Sequence, residues 1–102
     1  MPAPEAVRIA TLGGAAALGQ ADRIGALEVG KRGDVVAVDI SALHTVPAAS
    51  PWSQIAYAAQ ACDVRHVAVD GSVVVRDRRL LTLDVERLRR RARDAAAKLF
   101  AR

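Results

Sequence analysis

Ile24 to Ile40, IGALEVGKRGDVVAVDI, is the stretch around which the rest of the sequence is organised. Its middle, Glu28 to Asp34, is dense in glycine and charge and marks a tight turn. Gly30 and Gly33 are expected to take positive φ there, a region that glycine enters without the steric cost of a Cβ. Directly behind the turn, Val35 to Ile40 (VVAVDI) is a short apolar run rich in β-branched residues. That pattern predicts a buried strand. A turn that launches a strand is a structural device and carries no chemistry of its own.

Downstream, Ser41 to Pro51 reads as a loop punctuated by Pro47 and Pro51. Ser50 suits an N-cap and Pro51 a first helical position. A short helix is predicted over Trp52 to Ala61, with Trp52, Ile55, Ala58 and Ala59 on one side. Val64 to Val69 and Ser72 to Val75 are β-rich runs separated by Asp70-Gly71, a strong short-range hairpin signal. A second turn at Asp77-Arg78-Arg79 leads into Leu80 to Leu83. From Asp84 to Arg102, the residues Val85, Leu88, Ala92, Ala95, Ala96 and Leu99 recur at three- and four-residue steps on one helix face. Thr82 or Asp84 is its N-cap; Asp84 and Glu86 lie in its first turn and Lys98 and Arg102 in its last, as the helix dipole favours.

Upstream, Pro4 to Leu18 predicts a helix with a stripe of Ala6, Ile9, Ala10, Leu12 and Ala16, and Gly19 as its C-cap. Gly13-Gly14 weakens that helix by about 1 kcal/mol per glycine, which predicts close packing against a neighbour. The pair is not a phosphate-cradling loop, because no strand precedes it and no Gly-Lys-Ser follows.

With 102 residues the sequence has room for one domain and a modest core. Apolar residues form 52% of it, yet Trp52, Tyr57 and Phe100 are its aromatics, so the core is expected from Ala, Val, Leu and Ile. No apolar run approaches the roughly 20 residues that span a bilayer, and no basic-then-apolar leader is visible. Cys62 is the sole cysteine, which fits a reducing cytoplasm and gives a cytoplasmic expectation. The net charge is +4, and the segment from Asp84 holds seven basic residues against three acidic ones, so the whole excess lies in the last helix.

The order of these segments resembles the C-terminal segment of the amidohydrolase superfamily, in the branch of cytosine deaminases, chlorohydrolases and adenosine-type deaminases. Ile24 to Glu28, Gly30 to Arg32 and Asp34 with its strand match that branch's "IGSLEPGKRADLVVVD" style of signature. Val29 stands where the family usually has proline, and Gly33 where it usually has alanine. Ala10 to Ala15 resembles the "ATLGGARALG" helix near the end of the (β/α)8 barrel. His44-Thr45, Tyr57-Ala58-Ala59, and Asp63 to Val67 with Val69-Asp70-Gly71 follow the family's "HTTP" loop, "YAA" helix and "DVRHVWVDGRVVVRDG" hairpin. The resemblance covers residues from about Pro4 to Leu99. It implies a single α+β domain over 1–102, with residues 4–19 as the last barrel helix. Residues 24–101 are then the strands and terminal helix of a composite β-sandwich, a small sheet flanked by an N-terminal and a C-terminal helix.

That family consists of metal-dependent hydrolases acting on non-peptide C–N bonds, ring deamination included. Its zinc or iron is held by a His-x-His pair, two further histidines and an aspartate, all upstream of the region matched here. No catalytic, cofactor-binding or metal residue is therefore assigned, and no cofactor is expected. His44 and His66 are 22 positions apart, and a catalytic metal wants about three rigid protein ligands. They read as a surface-loop and a strand histidine. Cys62 with His66 has the residue types of a nucleophile and its base but no orienting third group, which leaves a buried or half-buried structural thiol. Asp34 and Asp39 are expected to cap turns.

Arg87, Arg89, Arg90, Arg91 and Arg93 raise a nucleic-acid interface. Asp84, Glu86 and Asp94 interleave with them and no aromatic residue lies in the cluster, so a solvated helix face is the expectation. The resemblance implies a hydrolase segment without activity of its own, missing the strands that complete its sandwich. Unpaired strand edges template association. They predict a homodimer through strand edges or apolar faces of the first and last helices, or else a separately encoded barrel as partner. Neither a membrane nor a nucleic acid is expected as a partner.

Overall fold

The computed structural model describes residues 1–47 and 50–101; part of the loop expected over 41–51, and Arg102, lie outside them. The described residues form helices at both ends and a four-stranded antiparallel sheet between them, in the order β1-β2-β3-β4. This is an α+β arrangement. Helix α1 begins over Ala3–Arg8, widens into a π-type turn over Ile9–Gly13 and closes over Gly14–Ala17. Its end is set by Gly19, whose φ of +69° lets the chain turn back. The Gly19 N–H donates to the Ala16 carbonyl and the Gln20 N–H to the Ala15 carbonyl, the paired bonds of a Schellman cap.

The expected stripe on α1 is corrected. Ala3 and Ala15 are its buried residues, whereas Ile9 is 52% exposed. The extra residue in the π turn rotates the later side chains relative to a regular helix. Gly13 and Gly14 do not mark close packing either: a Cβ at either would meet only atoms of its own helix, at 3.7 Å or more. The close approach lies at Gly25, where a Cβ would stand 2.9 Å from the Ala15 Cβ and 3.2 Å from the Leu12 Cα.

Strand β1 (Val35–Val38) pairs with β2 (Val64–Val69), β2 with β3 (Ser72–Arg76), and β3 with the two-residue β4 (Arg79–Leu80). The hairpin turns at Asp70-Gly71 with positive φ at both residues, as its sequence predicts. Asp77 and Arg78 take the same left-handed conformation in the second turn, and β4 stops at Leu80, short of the expected Leu83.

Of the two glycines before β1, Gly30 has φ +92°, while Gly33 is outside the left-handed region. Gly33 serves close approach instead: a Cβ there would lie 2.9 Å from the Gly71 nitrogen. The Gly71 N–H donates to the Gly33 carbonyl, and the Asp70 N–H to Asp34 Oδ1. The turn before β1 is thereby fastened to the hairpin turn.

Helix α2 starts over Pro51–Ser53 and widens to a π turn over Gln54–Ala58, ending before the expected Ala61. Ser50 caps it by accepting the Ser53 N–H, and α2 packs against α1. Helix α3 (Val85–Phe100) is capped by Asp84, which accepts the Arg87 N–H. Among the described residues α3 has no buried side chain and makes no extended contact with another element.

Among the described residues the expected aliphatic core does not form: Ala3 and Ala15 are the buried apolar side chains. Val35 and Val36 are 42% and 57% exposed, so β1 is not a buried strand here. Trp52, Tyr57 and Phe100 are exposed as well. Surface scaling gives about 5,500 Å² for a compact protein of this mass, against an accessible surface of 7990 Å². The radius of gyration, 17.4 Å, likewise exceeds the roughly 13 Å of a compact chain of this length.

Candidate functional site

The most closely bonded polar cluster joins four segments around Asp63. Asp63 ends a short 3₁₀ turn over Ala61–Asp63 and is 3% exposed. Its Oδ2 accepts the Gln60 N–H at 2.8 Å and lies 2.6 Å from His44 Nε2. Its carbonyl accepts the Asp39 N–H, linking the end of β1 to the start of β2. His44 comes from a second 3₁₀ turn, Leu43–Thr45. Thr45, 1% exposed, donates its hydroxyl toward the Ile40 and Ala42 carbonyls at 2.9 and 2.7 Å. The Gln54 amide of α2 donates to the Ile40 and Thr45 carbonyls. Among the described residues no buried side-chain N or O lacks a partner.

His44 is thus more than a loop residue: its ring is oriented by a buried carboxylate. The Gln60 N–H, followed by His44, holds the Asp63 carboxyl below the usual carboxylate range. Nearby, the Ser41 hydroxyl and N–H bond Asp39 and lower it too, with Arg78 3.5 Å away adding to the effect. A carboxyl whose folded pKa is depressed stabilises the fold above its unfolded value of about 3.9 and loses that contribution as pH falls through the folded value. The Gln60 amide resonance is therefore expected to titrate with a midpoint below about 3.9, the ordinary Asp value. A midpoint at or above that value would mean that the Gln60 N–H does not favour the ionised Asp63 carboxylate.

The other sequence candidates stay apart. His66 Nδ1 accepts the Asp77 N–H at 3.1 Å. Cys62 is exposed, not half-buried, and its sulfur lies 3.8 Å from Gln60 Oε1. Asp34 accepts the Asp70 N–H. The arginine run lies along exposed α3, where Arg89 pairs with Glu86 at 2.9 Å. Among the described residues no group of three or more His, Cys, Asp or Glu is placed to hold a metal ion. The available donor set does not fit a catalytic zinc or iron, since His44 bonds the Asp63 carboxylate and His66 accepts the Asp77 N–H in a separate contact. The Asp63 cluster is a clasp that fixes the loop after β1 against α2 and β2. Sequence reasoning missed Asp63, Thr45 and Gln54. The Gln60-x-x-Asp63 spacing was a local signal for the first, and nothing local marks the other two.

A sequence profile of the amidohydrolase family matches residues 1–74. This chain belongs to the amidohydrolase family. It is 47% identical over 93 residues to a 5-methylthioadenosine/S-adenosylhomocysteine deaminase of Syntrophobacter fumaroxidans, covering 91% of this chain and 21% of that protein. A 5'-deoxyadenosine deaminase of Methanosarcina acetivorans is 40% identical across 100% of this chain, which spans 23% of it. In structure, this amidohydrolase segment superposes on an adenosine deaminase from Xanthomonas campestris with bound zinc. The TM-score is 0.92 at 42% identity, covering 99% of this chain and 23% of that one. An atrazine chlorohydrolase mutant from Arthrobacter aurescens, complexed with zinc and atraton, matches with a TM-score of 0.79 at 28% identity, over 89% of this chain and 20% of its own. The segment therefore spans between a fifth and a quarter of these relatives. No helix among its described residues is long and apolar enough to cross a membrane.

Proposed function

We propose that this chain is the C-terminal structural unit of an amidohydrolase-type deaminase and carries none of its catalytic side chains. Residues 4–19 correspond to the last barrel helix and 24–101 to one half of the composite sandwich with its terminal helix. The observation that carries this reading is a fold matched over 99% of its length to a zinc-bound deaminase four times longer, with its own apolar faces left uncovered. A metal site and the substrate pocket belong to the remainder of such an enzyme. The substrate class, by similarity to the relatives' names, is an adenosine derivative such as 5-methylthioadenosine or S-adenosylhomocysteine. The cover is supplied by the rest of that fold. The open edge of β1, paired on one side alone, also suits strand addition by a second copy.

A chimera tests the proposal, with this chain replacing the matching segment of the Syntrophobacter deaminase. It is expected to keep its metal and to deaminate S-adenosylhomocysteine within roughly tenfold of the parent rate, a barrier change near 1.4 kcal/mol. The 102-residue chain by itself is expected to show no turnover and no stoichiometric metal. Deamination by the isolated chain would sink the proposal, and so would a folded chimera that is inactive.

A further inference from the structure

The turn between β3 and β4 is bent by two successive residues that are not glycine. Asp77 has φ +47° and Arg78 φ +66°, a region in which the Cβ of an L residue is crowded. Such backbone persists only where its surroundings fix it, and here the fixing contacts reach the turn from β2 and the ends of its neighbours. The Arg78 N–H donates to the Arg65 carbonyl, and Arg65 Nε–H donates to Asp77 Oδ1 at 3.1 Å. Arg78 donates from Nε to the Cys62 carbonyl at 3.0 Å and lies 3.5 Å from Asp39 Oδ2. The Asp77 N–H donates to a ring nitrogen, His66 Nδ1, at 3.1 Å.

That last bond selects a protonation state. Nδ1 accepts only in the neutral imidazole whose proton sits on Nε2. The Asp77 carboxylate stands on the matching side, with Oδ1 3.8 Å from Nε2. A second proton would go to Nδ1 and set a donor against the Asp77 N–H, so the bond and a charged ring exclude each other. The ring is open to the proton, since its side chain is 42% exposed. Asp77 and Asp39 favour the charged form; Asp39 and Ser41, from the end of β1, line the same surface depression as the ring. Arg65 on β2, Arg76 at the end of β3 and Arg78 in the turn oppose it.

We propose that His66 is an acid-sensitive latch on the β3–β4 turn, holding Asp77 in its left-handed conformation while the ring is neutral and releasing it when the ring is protonated. The release loosens Arg79 and Leu80 from their partners Arg76 and Val75. Beyond them the Leu81 N–H donates to the Val74 carbonyl, so the latch sets how firmly the chain that enters α3 is tied to the sheet.

Nitrogen-15 NMR of the 102-residue chain provides the test. At about pH 8 the His66 ring is expected to carry its proton on Nε2, and a ring protonated on Nδ1 instead would overturn the proposal. Between about pH 8 and about pH 5 histidine changes charge and carboxylates do not. Over that interval the exchange protection of the Asp77 and Arg78 amides, each taken against the unstructured rate at the same pH, is expected to fall about two- to tenfold, the equilibrium change for one typical hydrogen bond. The Gly71 amide, bonded to the Gly33 carbonyl, should keep its protection. His66→Asn places an amide oxygen near the position of Nδ1, accepts the same N–H and does not titrate, so the fall should vanish. A fall that persists in His66→Asn belongs to another group, such as His44, and would overturn the proposal, as would constant protection in the native chain. If His66→Asn does not fold, the native titration still decides: an Asp77 amide that fails to follow the His66 ring nitrogens excludes the latch.

Discussion

Gly25→Ala is expected to destabilise the protein by about 2–5 kcal/mol, combining a left-handed backbone penalty of roughly 1–2 kcal/mol with an overpacking cost of roughly 1–3. Both contributions come from one position. Gly25 has φ +95°, and a Cβ built on it would stand 2.9 Å from the Ala15 Cβ and 3.2 Å from the Leu12 Cα and the Thr11 carbonyl oxygen. The helix cannot retreat freely, because Ala15 is one of its two buried residues and α1 also packs on α2. The urea midpoint should fall, and amides of Thr11 to Ala15 should exchange faster than those of the β2–β3 hairpin. An unchanged midpoint would mean that the segment from Ile24 does not bear on α1. Gly30 offers the matched control: its φ is +92° but nothing lies within 4 Å of the place a Cβ would take, so Gly30→Ala carries the backbone cost without the overlap.

Thr45→Val is expected to cost about 0.5–1.5 kcal/mol, the net worth of a typical intramolecular hydrogen bond. The substitution keeps the shape of the side chain and removes its donor. In the native protein Thr45 is 1% exposed and its hydroxyl faces the carbonyls of Ile40 and Ala42. Gln54 still reaches the Ile40 carbonyl and the Thr45 N–H still donates to the Ala42 carbonyl, so neither acceptor is orphaned and the loss is that of the hydroxyl bond itself. Thr45→Ser, which retains the hydroxyl, should recover most of the loss. If valine and serine variants unfold at the same urea concentration, the hydroxyl bonds contribute nothing and only the methyl packing matters.

The features legible in the sequence are those set by residues within a few positions of one another. Asp70-Gly71 forms its hairpin because both residues tolerate positive φ. Gly19, Ser50 and Asp84 end or begin helices because their caps are satisfied within three or four residues. Features that depend on what faces a segment were not legible. Gly33 looks like Gly30 in sequence, yet it is needed for contact with Gly71, 38 residues on. The run from Val35 has the composition of a buried strand, yet Val35 and Val36 are exposed, because composition does not report what faces a strand. His44 and Asp63 meet across 19 residues, and their partnership follows from the path of the loop after β1. The family resemblance supplied what periodicity alone left open, and the family profile and the similarity to a zinc-bound adenosine deaminase agree on the family.

Trp52 is the single tryptophan of the sequence and stands 49% exposed near the start of α2. Indole emission shifts to shorter wavelength when mobile water around the ring is replaced by fixed protein. No second indole contributes to the spectrum. Any partner that covered this face of α2 would therefore leave an optical trace, readable in the native protein without a label.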